Sequence, residues 1–283
     1  MTAVPLLFRA LCDDASMFPP RAAQTKVALA EHLARRDTAG AALVGPLVVP
    51  AAKWSELARE APSKGSVQVA VTFPDGPGAG VEVSKQFAKS THITVVAVEF
   101  ADPEDVPAPE FFATIEKLDL GDRDVYVEIP RAHRHVEFLA SVTGTSYRAK
   151  LRTGGSSADS YPSESELAES ILALVASGVS FKATGGLHRA IRHTDSKTGF
   201  EQHGFLNVLV ATRRALEGAT AKPIADALAN RDSDSTVAEL NDSSADQIAR
   251  LRNIFHSFGT CSLDEPLEDL LELGLVPSVV RPS

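Results

Sequence analysis

The stretch "AKLRTGGSSADSYPSESELAESILALVASGVSFKATGGLH", residues 149–188, holds two near-copies of one short pattern, Lys150-Leu-Arg-Thr-Gly-Gly and Lys182-Ala-Thr-Gly-Gly. Each is an apolar run that carries a lysine and closes on a glycine pair. Between them Ser163 is followed three residues later by Glu166, a capping box in which hydroxyl and carboxylate satisfy the open backbone donors of a first helical turn. Leu167, Ile171, Leu174 and Val175 then recur at helical spacing and mark a buried stripe. Strand, capped helix and strand in that order make a βα unit, whose two strands run parallel because the helix carries the chain back.

The same alternation extends outward in both directions. Runs rich in β-branched and aromatic residues occur at about 6–11, "PLVVP" 46–50, "VQVAVTF" 67–73, "ITVVAVEF" 93–100, "VYVEIP" 125–130, "YRAKLR" 147–152 and "VSFKA" 179–183. Helical patterns fall near 21–36, 52–60, 80–89, 109–118, 132–142 and 164–177. An open doubly wound sheet and a closed barrel both fit such a series. An eighth strand is available in "RNIFHSFGTCS", 252–262, and on count and length the expected class is α/β, a (β/α)8 TIM-barrel-like fold with an elaborated connection after the seventh strand. Residues 1–283 read as a single α/β barrel domain, with 188–245 as an insertion within it that includes a helix near 205–217. The span "NRDSDSTVAELNDSSAD", 230–246, is polar enough to read as a surface loop or a partly disordered one.

Bulk properties narrow the function classes. A chain of 283 residues with 44% hydrophobic and 23% charged residues has the make-up of a globular protein rather than a disordered one. The formal charge of -9 and the lack of a dense Lys/Arg block argue against nucleic acid or a membrane surface as partner. Two cysteines, Cys12 and Cys261, are too few for a disulfide framework and read as free thiols. The start lacks the pattern of a secretory signal, and no apolar run approaches the roughly 20 residues that span a bilayer. The expected compartment is cytoplasmic, the expected partner a small anionic molecule, with a homo-oligomer possible.

Charge at the ends of the strands carries the functional reading. Glu99, Glu128, Lys150, Arg152 and Lys182 lie in apolar segments, toward the C-terminal ends of four strands. In a parallel barrel alternate side chains face the interior, so Lys150 and Arg152 share one face and Leu151 takes the other. A lysine aimed at the helix layer would be stranded in hydrocarbon, whereas one aimed inward near the top of the barrel meets water, a ligand or a carboxylate. Glu128 with either lysine could equally form an interior ion pair that only fills the barrel. The glycine pairs allow a sharp turn and a close approach to a ligand, and their amides suit an anion, although a glycine pair after a strand is also a common tight turn.

Lys-x-x-Thr-Gly on one strand and Lys-x-x-Gly-Gly on the next resemble deoxyribose-phosphate aldolase and its relatives among the class I, Schiff-base aldolases. "FGTCS", 258–262, is similar to the turn after the last strand that helps hold phosphate in that family. The resemblance implies Lys150 as the imine-forming lysine and Lys182 as the lysine that perturbs it. Around the substrate phosphate it places Gly154, Gly185, Gly186, Gly259 and Ser262. Arg152 stands where a small residue is usual in that family.

The chemistry is consistent with that pairing. A lysine amine is almost wholly protonated at neutral pH, and a second cation and burial free it as a nucleophile. Lys182 and Arg152 are candidates to act on Lys150, and Glu128 or Glu99 to shuttle protons. Asp14 is a further catalytic candidate, with Asp13 beside it. Arg152, Thr153, Gly154, Gly155, Gly185, Gly186, His188, Gly259 and Ser262 are the expected substrate and phosphate contacts. No cofactor is expected. An alternative metal set, Asp13, His188, His193 and His203, lacks the His-Glu-x-x-His spacing of helical zinc sites. His133 and His135 read as a solvated helix start. The leading expectation is therefore an aldolase-type lyase acting on a small phosphorylated or carboxylated carbonyl compound. The alternatives are a metal-dependent barrel enzyme and a non-catalytic anion-binding barrel with a Lys/Arg clamp.

Overall fold

The computed structural model describes residues 4–102, 106–131 and 135–278. Seven parallel strands, β1 (Cys12–Asp14), β2 (Val44–Pro50), β3 (Val67–Phe73), β4 (Ile93–Phe100), β5 (Asp124–Glu128), β6 (Arg148–Arg152) and β7 (Phe181–Thr184), run side by side in chain order. A short antiparallel hairpin follows, β8 (His193–Thr194) and β9 (Glu201–Gln202). Then β10 (Phe255–Thr260) enters between β7 and β1 and closes the barrel, so that all eight barrel strands are parallel. The fold is an α/β, TIM-barrel-like one, and its closing strand lies within the segment 252–262 that the sequence offered.

The layer around the barrel is built from α1 (Thr25–Arg35), α2 (Trp54–Glu60), α3 (Gly80–Phe87), α4 (Ala108–Ile115), α5 (His135–Val142), α6 (Glu164–Ala176), α7 (Phe205–Leu216), α8 (Ala221–Ala229), α9 (Ser233–Asn241), α10 (Ala245–Ile254) and α11 (Asp264–Glu272). The capping box of α6 forms as read: Glu166 N–H donates to Ser163 Oγ at 3.3 Å, and Ser163 N–H to Glu166 Oε2 at 2.8 Å. Leu167, Ile171 and Leu174 are buried, and Val175 packs at their margin. Two cores result. The larger fills the space between sheet and helices, while Val48, Ala70, Ala97 and Tyr126 pack inside the barrel. Two alanines among those four leave the upper interior open to longer side chains from neighbouring strands.

Two expectations are corrected. The first strand is not 6–11: Leu6–Phe8 form a 3-10 turn and the strand begins at Cys12. Leu7, Phe8 and Leu11 are buried all the same, and an apolar run alone does not distinguish a strand from any other buried segment. The polar span 230–246 is not a loop; it carries α9 and the start of α10. Asp232 caps α9 through Asp234 N–H, Ser244 and Gln247 form a second capping box on α10, and Thr236 and Leu240 are buried. Short helices held by caps and a few buried contacts look polar on average. The 132–142 helix is described from His135; His133 lies outside the described residues.

Asn207 ties the connection after β7 together. Its Oδ1 accepts from Arg192 N–H at 2.8 Å, and its Nδ2 donates to the carbonyls of Ala227 and Asn230, each at 2.8 Å. No helix among the described residues is long and apolar enough to cross a membrane.

Candidate functional site

Register fixes the site. Glu128, Lys150 and Lys182 are direct neighbours across β5, β6 and β7, and Glu99 stands one strand further on β4. All four point into the barrel near its C-terminal end, because their Cβ atoms occupy the inward half of the strand period. Lys182 Nζ is ion-paired with Asp13 of β1, two strands away beyond β10, and donates to Glu99 Oε1 at 2.6 Å. Lys150 Nζ sits 3.5 Å from Glu99 Oε2 and 3.2 Å from Glu128 Oε2. Arg152 closes the row with a two-pronged bond to Glu128, at 2.9 and 3.2 Å. Three carboxylates and three cations thus alternate, and Glu99 is shared by both lysines.

The two lysines differ in how firmly they are held. Lys182 is 2% exposed at its side chain, lies 5.4 Å from the Tyr126 ring centroid and has two close carboxylates. Burial alone would lower its pKa, but the attraction of Asp13 and Glu99 outweighs it and keeps the ammonium above the ordinary lysine range. Burial also opposes ionisation of Glu99 and Glu128; the two lysines on Glu99, and Lys150 with Arg152 on Glu128, hold both carboxyls below the usual carboxylate range. Lys182 is therefore fixed as a cation. Lys150 has the longer ion pairs, to Glu99 and Glu128.

Asp14 is not part of this array. It follows Asp13 on β1, so its side chain turns to the helix layer and bonds His32 Nδ1 on α1 at 3.0 Å. Asp13 is the inward residue, and it also accepts from Ser257 Oγ at 2.8 Å. With the first strand placed at 6–11 both aspartates read as loop residues; the strand at 12–14 gives them opposite faces. Ser257 and Tyr126, too, carried no signal in the sequence beyond their place on strands.

A cavity of about 1620 Å³ opens above the lysines. Lys150, Lys182, Glu99, Arg152, Gly154, Gly155, Gly185, Gly186, His188, Gly259 and Ser262 all line it, together with the β8–β9 hairpin. Thr153 does not. It is buried and donates its hydroxyl to the Gly185 carbonyl, linking the β6 loop to the β7 loop. The glycine pairs serve that link. A Cβ on Gly154 would lie 2.8 Å from Gly186 Cα, and one on Gly186, whose φ is +74°, would lie 2.9 Å from the Thr153 carbonyl oxygen. Gly186→Ala is expected to cost about 2–4 kcal/mol through overpacking and left-handed backbone strain. Gly259→Ala, whose nearest contact would be 3.6 Å, is expected to stay within about 1 kcal/mol of the parent. Denaturant midpoints of the two variants check the contrast.

The alternative metal set is not assembled. Asp13 is engaged by Lys182 and Ser257, and His188 by Glu265 at 3.1 Å. His193 Nδ1 meets the Ile191 carbonyl at 3.3 Å. His203 donates from Nε2 to the Pro162 carbonyl at 2.8 Å and accepts from Arg192 at Nδ1. Burial and the Arg192 charge hold His203 below the ordinary imidazole range, despite that carbonyl. Among the described residues no three His, Cys, Asp or Glu side chains converge as metal ligands. Cys12 and Cys261 are free thiols, and Cys261 lies in the cavity wall 3.9 Å from His188 Nδ1.

Comparison of the chain with protein-family models, with curated proteins and with solved structures found no match. The chemistry of the site is read from its own geometry.

Proposed function

We propose that the protein is a class I aldolase-like lyase in which Lys150 forms a Schiff base with the carbonyl carbon of a small substrate. The observation that carries this reading is the asymmetry of the two lysines. Both line one cavity and share one carboxylate, but Lys182 is locked as a cation while Lys150 keeps the looser contacts.

In this reaction a proton passes from Lys150 to Glu99 or Glu128, and the free amine adds to the carbonyl carbon. The carbinolamine loses water with a proton returned from the same carboxylates. The carboxylate that gave up its proton then takes the proton of the hydroxyl on the carbon β to the iminium, the Cα–Cβ bond breaks with its electron pair moving to the iminium, and a carbonyl fragment leaves an enamine on Lys150. The same proton returns to the α carbon, and water hydrolyses the iminium to free the lysine. Lys182 acts from the side: its fixed charge orients Glu99. Arg152 holds Glu128 in reach of Lys150.

Borohydride reduction in the presence of a panel of aldehydes, ketoacids and sugar phosphates, followed by peptide mass mapping, tests the reading. A substrate-dependent adduct on Lys150 is the expected result. Absence of label from every compound, while a known Schiff-base aldolase labels under the same conditions, would sink it.

A further inference from the structure

The end of the substrate that does not react meets the rest of the cavity, where the cationic side chains are almost all engaged. The cations are spent. Arg189 makes a two-pronged pair with Asp269 at 2.6 and 3.0 Å, Arg192 bonds Glu164 and Glu201, Arg231 bonds Glu201 and Arg21 bonds Glu31. Among the described residues lining the cavity only Lys197, on the exposed turn of the hairpin, is a lysine or arginine without a carboxylate partner. The helix after the last barrel strand, α11, opens with Asp264 and Glu265, whose charges already occupy the favourable field of its N-terminus. Glu265 also holds His188. A phosphate seated there would face two carboxylates.

Several unspent side chains accept hydrogen bonds, or both donate and accept them. Gln202 lines the cavity, is 5% exposed, and its Oε1 is buried with no hydrogen-bond partner. Glu272 lines the cavity with no cationic partner among the described residues. The hydroxyls of Thr72, Thr184, Ser156 and Ser262 are in the lining and bond no protein group among the described residues. A phosphate dianion brings only acceptors and leaves the amide oxygen and carboxylate unmatched, whereas an alcohol brings a donor and an acceptor together. Tyr161 and Phe200, with ring centroids 5.7 Å apart, add an aromatic wall of the kind on which the C–H face of a sugar rests. The volume exceeds the roughly 300–1,000 Å³ of common ligand pockets, which leaves room for such a chain beyond the reacting carbonyl.

We infer that the carbonyl substrate of this cavity is an uncharged, polyhydroxylated, sugar-like compound rather than the phosphate ester that the glycine loops suggest. The inference rests on the Schiff-base reading for the reacting end only; recognition of the other end stands on the lining.

The test pairs erythrose with erythrose 4-phosphate, which differ in the ester alone. In borohydride labelling of the intact protein, erythrose is expected to modify Lys150 at a concentration at least about tenfold lower than its phosphate, with no competition from inorganic phosphate. Labelling by the ester at equal or lower concentration, or protection by phosphate, overturns the inference while leaving the imine intact. If neither labels, calorimetric titration of the same two compounds decides the present inference: tighter binding of erythrose sustains it, and tighter binding of the ester or no binding of either overturns it. Gln202→Leu removes an unpartnered oxygen and so leaves the fold stable; it is expected to weaken erythrose about fivefold or more and to leave phosphate unaffected.

Discussion

Lys182→Met is expected to destabilise the protein by about 3–5 kcal/mol, because it removes one member of a buried ion pair and leaves the other uncompensated. Asp13 would keep only the Ser257 hydroxyl, and Glu99 only the more distant Lys150. The loss should appear as a lower denaturant midpoint with an unchanged slope. Adding Asp13→Asn to Lys182→Met, so that neither ion remains, should recover at least about 1 kcal/mol, since the penalty lies in the stranded charge. A single variant as stable as the parent would mean that the pair is not what holds the barrel mouth together.

Lys150→Met is expected to behave in the opposite way. Glu99 retains Lys182 and Glu128 retains Arg152, so both carboxylates stay paired and the stability cost should remain below about 2 kcal/mol. The proposed nucleophile, however, is gone. Borohydride labelling at this position should disappear, and turnover of any compound that labels the parent should fall by at least about 10³-fold, the scale of losing a covalent catalyst's reacting group. A folded Lys150→Met protein with turnover within about tenfold of the parent would exclude imine chemistry at this residue. The two variants together separate the proposed roles, one lysine holding the site and the other reacting in it.

Much of the fold was legible along the chain because each βα unit advertises itself locally. The capping box at Ser163 and Glu166, the stripe from Leu167 to Val175 and the flanking apolar runs are short-range signals, and repetition of that unit gives a parallel sheet. The inward set on β6 and β7 was also legible, since alternation along a strand puts Lys150 and Arg152 on one face. The first strand was not, because Leu7, Phe8 and Leu11 bury as fully in a turn and its exit as strand residues would. That shift hid which aspartate faces the lysines. The helices in 233–254 were hidden by a different effect: their few buried side chains are diluted by polar residues that cover the outer surface.

The sequence by itself determined that strands and helices alternate, that lysines and glutamates sit at strand ends, and that paired glycines follow two of those strands. Only the tertiary structure decided which charges meet. Asp13 and Lys182 lie on strands that are distant in the chain and become close when β10 closes the barrel between them. It also decided that Thr153 and the glycines bind the two loops to each other, and that the arginines around the cavity are already paired. Local propensity acts over a few residues, whereas ion pairing depends on distance in space and on exclusion of water, and both exist only once the barrel is closed.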